Sequence, residues 1–517
     1  MGFSDLGGAS NPYLNPHDSL TICHFRMTTA NDTNLIGQTA SIFVSGQHPV
    51  SGGLSFGDSI GGPGYTNIQE NIYPVTFCAC ADSHKVGSGI GVMGNQQNHV
   101  DGRCIGDTAY VLEDITRRNG YNPHGHGGHQ PDFGANTTYI WDVSAPFSRL
   151  KMKDRDNTWN AANQASGVDA HCYAGQVYDF MLSRLNRNSY NNQGYYMDSW
   201  VEHPGKHNNA SFDGTGVIYG NVDSDKRSFA GIPDVVAHEW AHGITYSESN
   251  LVYENESGAL SEAFSNMMAA YFNYDWLGQH NDDCWLIGKN HWINNPSKVV
   301  NNMKEPHLSD QPDTYLSDNL WRNLTGCIPD TTNDHCYVHT NCGVPNKMFY
   351  LLSNGGTHNG ITVQGSGIQS AFNVMYTANR QRLWPPNSTF WNARDGSIRA
   401  ALQIDTTTHT ARNVADAWNA VGVCDTCDYI PGDVNGNGEA RGSDITHLVA
   451  YLKQLGPPPR DSCHVPYQIN GADWFYVTAD YNGDCQISNA DVLWGVAYYK
   501  GFKPEIRHCP HFSPSLP

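Results

Sequence analysis

At 517 residues the chain is too long for one ordinary domain, so we expect a large folded unit with at least one appendage. Its hydrophobic content of 39% is enough for a packed core, and a charged fraction of 15% argues against a disordered chain. The net charge of −20 argues against a nucleic-acid partner, which needs a basic surface, and fits a protein that holds cations.

Fourteen cysteines are many for a cytosolic protein, and their scattered spacing differs from that of a zinc ribbon. They indicate a disulfide-permissive compartment, although the sequence does not give their pairing. The chain has no run of eighteen apolar residues, so we predict no membrane span. Its first residues lack the basic end and apolar run of a signal peptide. We therefore expect a secreted or cell-surface-associated protein whose native N-terminus is missing from this chain.

The first half of the chain divides into two segments. Residues 1–85 are rich in Gly, Ser, Asn and Thr and carry a strand-like run at 40–44, but no recognisable chemistry. Their role is unknown, and a propeptide remnant and a stable domain are both open interpretations. Residues 86–247 are β-rich, with a strand-like piece at 217–219 and helices predicted at 168–181 and 235–246.

The second half is mainly helical. Residues 248–423 show apolar periodicity that predicts a group of helices, at 259–272, 344–352, 367–377 and 414–421. Residues 424–432 are predicted to be a linker. Residues 433–517 form a small terminal module and tail, in which two further helices are predicted at 445–452 and 492–499.

The segment His238-Glu239-Trp240-Ala241-His242 carries the clearest chemistry. Residues four apart lie on one helical face, so both imidazoles can converge on one ion. Zinc accepts two such nitrogens, and a third protein ligand leaves a fourth position for water. Glu239 then lies beside that water and can take its proton. Taken alone, the pentapeptide is also compatible with two solvated histidines on a surface helix.

The third ligand separates the classes of zinc hydrolase. Thr245 and Glu248 occupy the positions at which a metzincin has Gly and His, so that class is excluded. Instead, Ser261-Glu262-Ala-Phe-Ser-Asn266 is close to the NEAxSD segment of the thermolysin-like zinc metallopeptidases, at that family's spacing. The resemblance covers about residues 86–423 and implies that Glu262 is the third zinc ligand. It also implies an α+β fold of two lobes, β-rich and helical, with the zinc-binding helix between them.

The same resemblance assigns further catalytic roles. Tyr253 matches the tyrosine that stabilises the oxyanion in the family. The segment that runs from Asn333 to Gly343 is similar to the family's DNGGVHxNSG. By that match His339 hydrogen-bonds the oxyanion and Asp334 orients it.

The resemblance also implies residues that bind substrate. The segment His207-Asn-Asn-Ala210 is similar to the edge strand that grips the peptide backbone, which gives this role to Asn209 and Ala210. The pocket for the residue after the cut matches Val235 and Val300, with Trp285 and Ile287 expected on the same wall. A preference for bulky apolar residues at that position follows.

These matches imply a secreted zinc metalloendopeptidase that acts on proteins or peptides, as a monomer, with one catalytic zinc. One alternative is a catalytically weak zinc fold that serves as a calcium-dependent surface or scaffold binding protein. A second alternative is an exopeptidase of the wider HExxH class, which would bind a free substrate amine and release single residues.

Departures from the family pattern motivate the first alternative. Asn266 replaces an aspartate that supports the first zinc histidine, so ligand basicity or metal affinity is expected to be lower. Asn301 replaces an arginine that binds a substrate carbonyl.

The family's paired calcium site retains Asp234 but has three unsuitable replacements, so we predict that this site is absent; the replacements are Asn273, Leu286 and Lys289. Asp154-Arg-Asp156 matches a separate single-calcium loop, with a solvated acidic turn as an equal alternative.

The terminal module carries two acidic loops with oxygen side chains at alternate positions, as calcium loops of the EF-hand type require. The predicted ligands are Asp433, Asn435, Asn437 and Asp444 in the first loop, and Asp480, Asn482, Asp484, Ser488 and Asp491 in the second. An Asp at position 12, twice over, resembles dockerin modules, which implies structural calcium and a cohesin-like scaffold or surface partner. The two loops lie farther apart than in the compact dockerin pair.

Overall fold

The computed structural model describes residues 84–105, 109–114, 116–117, 136–141, 149–405, 409–423, 426–427, 429–469, 472–509 and 512–514. The strand predicted at 40–44, and residues 1–83 generally, lie outside the described residues. The described residues all belong to one compact unit, Asp82–Pro517. No helix within these ranges is both long and apolar enough to cross a membrane.

Short strands build two sheets in the first part of the described chain: β1 (His84–Ile90), β2 (Gln96–Ile105), β3 (Ala109–Val111), β4 (Glu113–Asp114), β5 (Asn136–Trp141), β6 (Arg149–Lys151), β7 (Lys153–Asp154), β8 (Thr158–Trp159), β9 (Asp198–His203), β10 (Ala210–Phe212) and β11 (Gly216–Gly220). One sheet has the order β7-β3-β2-β1-β8, and the other has the order β10-β11-β9-β5-β4 with β6 beside β5. The strand predicted at 217–219 is β11, and β10 beyond it forms an edge of its sheet.

Helix α1 (Ala165–Leu185) packs against strands of both sheets and against the helix that follows, α2 (Pro233–Ser247). Its buried face includes Val168, Val177 and Phe180, which are all fully buried. Pro233 is the first residue of α2, a position where proline's missing N–H costs no hydrogen bond. The predicted helices at 168–181 and 235–246 are therefore confirmed, each with slightly wider bounds.

The helical part follows α2: α3 (Asn255–Tyr271), α4 (Asp334–Asn341), α5 (Gly343–Asn354), α6 (Ile368–Arg380), α7 (Phe390–Ile404) and α8 (His409–Ala420), with two small hairpins, β12 (Leu286–Ile287) with β13 (Asn301–Asn302) and β14 (Gly356–His358) with β15 (Ile361–Val363). Large aromatic side chains fill the core, including the fully buried Trp240, Phe264 and Trp384. All four helices predicted for residues 248–423 are present. Helix α7 was not predicted, because polar residues and Gly396 interrupt its apolar pattern. A Cβ at Gly396 would come within 2.5 Å of the Leu383 carbonyl oxygen, so close packing requires glycine there.

The terminal module places α9 (Gly442–Leu452) against α10 (Asn489–Tyr499), around a core that includes Val434, Leu448 and Tyr481. The stretch between these helices contains a hairpin of β17 (Cys463–Ile469) and β18 (Ala472–Phe475), which accounts for the wide separation of the two acidic loops. Strand β16 (Thr426–Cys427), inside the predicted linker, pairs with β19 (Ser513–Pro514). The module contacts the helical part through an ion pair, in which Arg412 Nη1 lies 2.7 Å from Glu505 Oε1.

Candidate metal centre and active site

Three predicted ligands meet between α2 and α3. His238 and His242 lie one turn apart on α2, and their Nε2 atoms are 3.2 Å apart. Glu262, on α3, places Oε2 at 3.3 Å from the Nε2 of His238 and Oε1 at 3.3 Å from the Nε2 of His242. The carboxylate is 1% exposed, so its charge has lost almost all contact with water. A buried carboxylate facing two imidazoles is an arrangement that a cation stabilises.

These distances test whether zinc fits. Zinc lies about 2.0–2.1 Å from nitrogen and oxygen ligands, and tetrahedral geometry then puts the ligand atoms roughly 3.3 Å from one another. The separations among His238, His242 and Glu262 are within about 0.2 Å of that value. All three residues line the same cleft. The donor set therefore fits a tetrahedral zinc ion with one position left for water or substrate.

The outer nitrogen of each imidazole has its own partner. His238 Nδ1 donates to Asn266 Oδ1 at 3.0 Å, and His242 Nδ1 donates to Ser261 Oγ at 3.2 Å. These bonds fix which ring nitrogen carries the proton and direct both Nε2 atoms toward the metal position. Sequence reasoning had not given Ser261 a role, although its position directly before Glu262 was a usable signal.

Two asparagines that replace charged residues of the family pattern, Asn266 and Asn301, contact one another. Asn301 Nδ2 donates to Asn266 Oδ1 at 3.2 Å, so the carbonyl oxygen that holds His238 accepts two hydrogen bonds. Gln311 Nε2 donates to Asn301 Oδ1 at 2.5 Å and to the His339 carbonyl oxygen at 2.7 Å. A chain of uncharged amides thus runs beneath the metal centre. Gln311 was not predicted, because no local motif marks it.

The cleft has a volume of about 740 Å³. Asn209 and Ala210 line it at the edge strand β10, whose outer edge is unpaired among the described strands. The predicted pocket residues also line it, namely Val235, Ile287 and Val300. Trp285 does not: it is 2% exposed and its ring packs edge-on against Phe349 in the core. The expectation that Trp285 lines the pocket wall is therefore wrong: Trp285 ends a 3-10 helix (Asp282–Trp285) and Ile287 belongs to β12, so strand alternation does not place the two side chains on one face.

Glu239 lies in the cleft next to the metal ligands and is 6% exposed. Burial disfavours its charged form, and the charge of Glu262 acts in the same direction, so the pKa of Glu239 rises to about 7 despite the opposing effect of His238. A carboxyl group with a pKa near neutrality can both accept a proton and return it.

Tyr253, His339 and Asp334 lie together beside Glu262. The Tyr253 hydroxyl hydrogen-bonds to Glu262 Oε1 and lies 3.2 Å from His339 Nε2. His339 Nδ1 donates to Asp334 Oδ1 at 2.5 Å. Burial opposes protonation of His339, but Glu262 and Asp334 outweigh it and raise the pKa of His339 to about 9. Burial and Glu262 raise the pKa of Tyr253, so both groups keep a hydrogen to donate.

Helix α4 begins with an unusual turn. Asp334, His335, Cys336 and Tyr337 have φ values of 55°, 50°, 66° and 64°, all in the left-handed region. Each residue with a side chain costs about 1–2 kcal/mol in this conformation. The family motif has glycine at the positions of Cys336 and Tyr337, where no such cost arises. Cys336 is fully buried and forms a disulfide with Cys327.

The acidic loops of the terminal module each fold around a carboxylate. Asp433 accepts hydrogen bonds from the backbone N–H groups of Asn437 and Gly438, and Asp480 accepts them from Gly483 and Cys485. The last Asp of each loop accepts a hydrogen bond from the backbone near the start of the same loop. Asp444 accepts from Asn435 N–H, and Asp491 accepts from Asn482 N–H.

In the second loop, the carboxylates of Asp480, Asp484 and Asp491 bring oxygen atoms within 4.8 Å of one another. Burial and mutual repulsion raise the pKa of Asp480, and burial first, with repulsion from Asp484, raises that of Asp491 to about 6. The three carboxylates therefore lie where a divalent cation would relieve their repulsion.

Two carboxylates at positions that match calcium sites of the family, Asp154 and Asp234, have local partners. Asp154 accepts hydrogen bonds from Asp156 N–H and from Gln164 Nε2, both at 2.9 Å. Asp234 accepts from Asn273 Nδ2 at 3.2 Å and from Gly288 N–H at 3.1 Å. The single-calcium interpretation of Asp154 and Asp156, and the absence of the paired calcium site at Asp234, stay predictions.

Comparison with known proteins bears on the same residues. The sequence profile described as "Thermolysin metallopeptidase, catalytic domain" matches residues 86–246, and the one described as "Thermolysin metallopeptidase, alpha-helical domain" matches residues 249–423. Neutral protease NprE of Bacillus pumilus is 36% identical over 288 residues, which cover 55% of this chain and 86% of that protein.

Bacillolysin of Bacillus cereus is 34% identical over 348 residues, covering 66% of this chain and 55% of that protein. Thermolysin of Alicyclobacillus acidocaldarius is 34% identical over 352 residues, covering 66% of this chain and 60% of that protein. The chain thus spans somewhat over half the length of these two relatives. It belongs to the thermolysin metallopeptidase family, with the two-part fold of a catalytic and an alpha-helical domain.

Proposed function

We propose that the chain is a secreted zinc metalloendopeptidase that cleaves peptide bonds before bulky apolar residues. The observation that carries this proposal is the convergence of His238, His242 and Glu262, at separations of 3.2–3.3 Å, beside the buried Glu239. A zinc ion held there would supply Lewis-acid polarisation of a carbonyl and an acidified water.

The protein's own groups then divide the work. An extended peptide adds to the open edge of β10, where Asn209 and Ala210 offer backbone hydrogen bonds. Glu239 takes a proton from the attacking water and returns it to the leaving amine, for which a pKa near neutrality is suited. Tyr253 and His339 donate hydrogen bonds to the oxyanion, where preorganised donors contribute most to rate. Asp334 holds His339 in place through its Nδ1–H.

Substrate preference follows from the apolar side of the cleft. Val235, Ile287 and Val300 line it, and Val235 is only one turn of α2 away from Glu239. An apolar pocket discriminates by the side-chain area it removes from water, so large aliphatic and aromatic residues after the scissile bond are favoured.

The terminal module adds a calcium-binding, dockerin-like role. The two loops that end in Asp444 and Asp491 each lead into a helix, and these helices share one core. This supports structural calcium in both loops, with a cohesin-like scaffold or surface partner as the function of the module.

The test compares the wild type with Glu239→Gln on the same preparation, by zinc content and by casein hydrolysis. We expect one zinc in both proteins and hydrolysis in the wild type alone, because the amide cannot accept the proton. Zinc without hydrolysis in the wild type would refute the enzymatic proposal in favour of a binding protein. Mass spectrometry of peptide products would refute the endopeptidase assignment if only single residues were released.

A further inference from the structure

The Cys327–Cys336 disulfide closes a loop that forms one wall of the cleft. Thr331, Asp334 and His335 lie inside this loop, and all three line the cleft. The loop has little apolar packing of its own, since Ile328 is 80% exposed. The covalent bond joins this exposed loop to the fully buried Cys336.

The bridge ends inside the left-handed turn at the start of α4. Three hydrogen bonds hold this turn: Cys336 N–H donates to Asn333 Oδ1 at 2.9 Å, His335 N–H to the Asp330 carbonyl at 2.8 Å, and Tyr337 N–H to the Asn333 carbonyl at 2.9 Å. Both acceptor residues, Asp330 and Asn333, belong to the loop that the bridge closes. If residues 328–333 move away from the turn, the turn loses these partners and returns toward the conformations that side chains prefer.

The oxyanion donors depend on this turn. Asp334 is its first residue, and its carboxylate accepts the backbone N–H of His339 at 2.9 Å as well as the imidazole N–H. The ring of His335 lies 5.6 Å from the ring of Tyr253, edge to face. The zinc donors lie on α2 and α3 instead, outside the turn.

We propose that the Cys327–Cys336 disulfide is a positioning element: it holds a left-handed turn, built here without glycine, so that Asp334 keeps His339 aimed at the oxyanion. Its role is separable from zinc binding and from the general stability of the fold. This inference rests on the proposed peptidase function.

The experiment compares two variants that both lack the bridge and differ by one methyl group, Cys327→Ser/Cys336→Ala and Cys327→Ser/Cys336→Gly. Glycine adopts the left-handed region at no steric cost, so the glycine variant should keep kcat within about threefold of the wild type. The alanine variant should lose about tenfold to a hundredfold in kcat, the cost of a misplaced oxyanion donor, with little change in KM. Both should bind one zinc.

Hydrogen exchange of residues 328–341, followed by mass spectrometry, gives a readout that needs no activity. We expect fast exchange in the alanine variant and slower exchange in the glycine variant. If the alanine variant does not fold, mild reduction of the folded wild type replaces it, with the glycine variant as the control for all other disulfides.

The outcomes separate the two proposals. Equal kcat in wild type and alanine variant, or equal loss in both variants, would overturn the positioning role while the peptidase function stands. A wild type that binds zinc but cleaves nothing would refute the peptidase function. The exchange comparison would then still decide whether the bridge holds the turn, and equal exchange in all three proteins would overturn it.

Discussion

Removing the Asn266 side chain should weaken zinc binding although Asn266 never contacts the metal. Its Oδ1 accepts hydrogen bonds from His238 Nδ1 at 3.0 Å and from Asn301 Nδ2 at 3.2 Å, and the residue is fully buried. Asn266→Ala leaves both donors without that acceptor, and an unpaired buried donor costs about 1–3 kcal/mol. Part of this cost is common to the zinc-bound and zinc-free states and cancels.

The remaining part concerns the ring of His238. Without an acceptor at Nδ1, the imidazole is free to rotate and to place its proton on Nε2, so zinc binding must first restore the correct state. Loss of such a partner typically costs tenfold to a hundredfold in metal affinity, about 1.4–2.8 kcal/mol. We expect the zinc Kd of Asn266→Ala to rise by that factor.

The assay is equilibrium competition with a chromophoric zinc chelator. Two further variants sharpen it. Ser261→Ala removes the corresponding partner of His242, whose bond is longer at 3.2 Å, and should cost less. Asn266→Asp should tighten zinc binding relative to wild type, because a charged acceptor makes the imidazole a stronger ligand. A wild-type Kd in Asn266→Ala would refute the reasoning.

Further predictions concern the pocket, a buried ion pair and the second acidic loop. Val235→Phe should narrow the pocket and shift preference from leucine toward alanine after the scissile bond, measured as kcat/KM on paired peptides; an unchanged ratio would contradict the pocket. Arg187→Met should lower the free energy of unfolding by about 3–5 kcal/mol in urea titrations. In the wild type, Arg187 Nη1 lies 2.6 Å from Glu248 Oε1, and the substitution leaves that carboxylate without its buried partner. Calcium affinity of the second loop should fall as pH drops below about 6, by up to roughly tenfold per unit, since the proton on Asp491 competes with the ion. Without calcium, the raised pKa of Asp491 means that stability falls as pH rises from about 4 to about 6, which thermal melts at several pH values would check.

The metal ligands could be predicted because their spacing along the chain is enough to identify them. His238 and His242 share a helical face whatever surrounds them, and Glu262 stands in a recognisable helical segment. The helices that bury one continuous apolar face were predictable for the same reason. These features need only residues that are neighbours along the chain.

What could not be predicted depends on residues that are distant along the chain. Gln311 donates to both Asn301 and the carbonyl of His339, which lie 10 and 28 residues away along the chain, so only the fold brings the three together. The pairing of Cys336 could not be predicted either. Cys342 is nearer to it along the chain than Cys327, yet the disulfide forms with Cys327 and Cys342 keeps a free, buried thiol. Trp285 and Ile287 show a third limit, because the chain changes from a 3-10 helix to a strand between them and only Ile287 faces the cleft.

The amides beneath the metal centre affect how the site responds to pH and to ionic strength. Asn266, Asn301 and Gln311 neither gain nor lose protons, and they carry no net charge for dissolved ions to screen. A carboxylate and a guanidinium in the same places would respond to both acidity and salt. The orientation of His238 is thus insulated from the medium. Changes of acidity or salt should therefore leave the hydrogen bonds among these three amides in place.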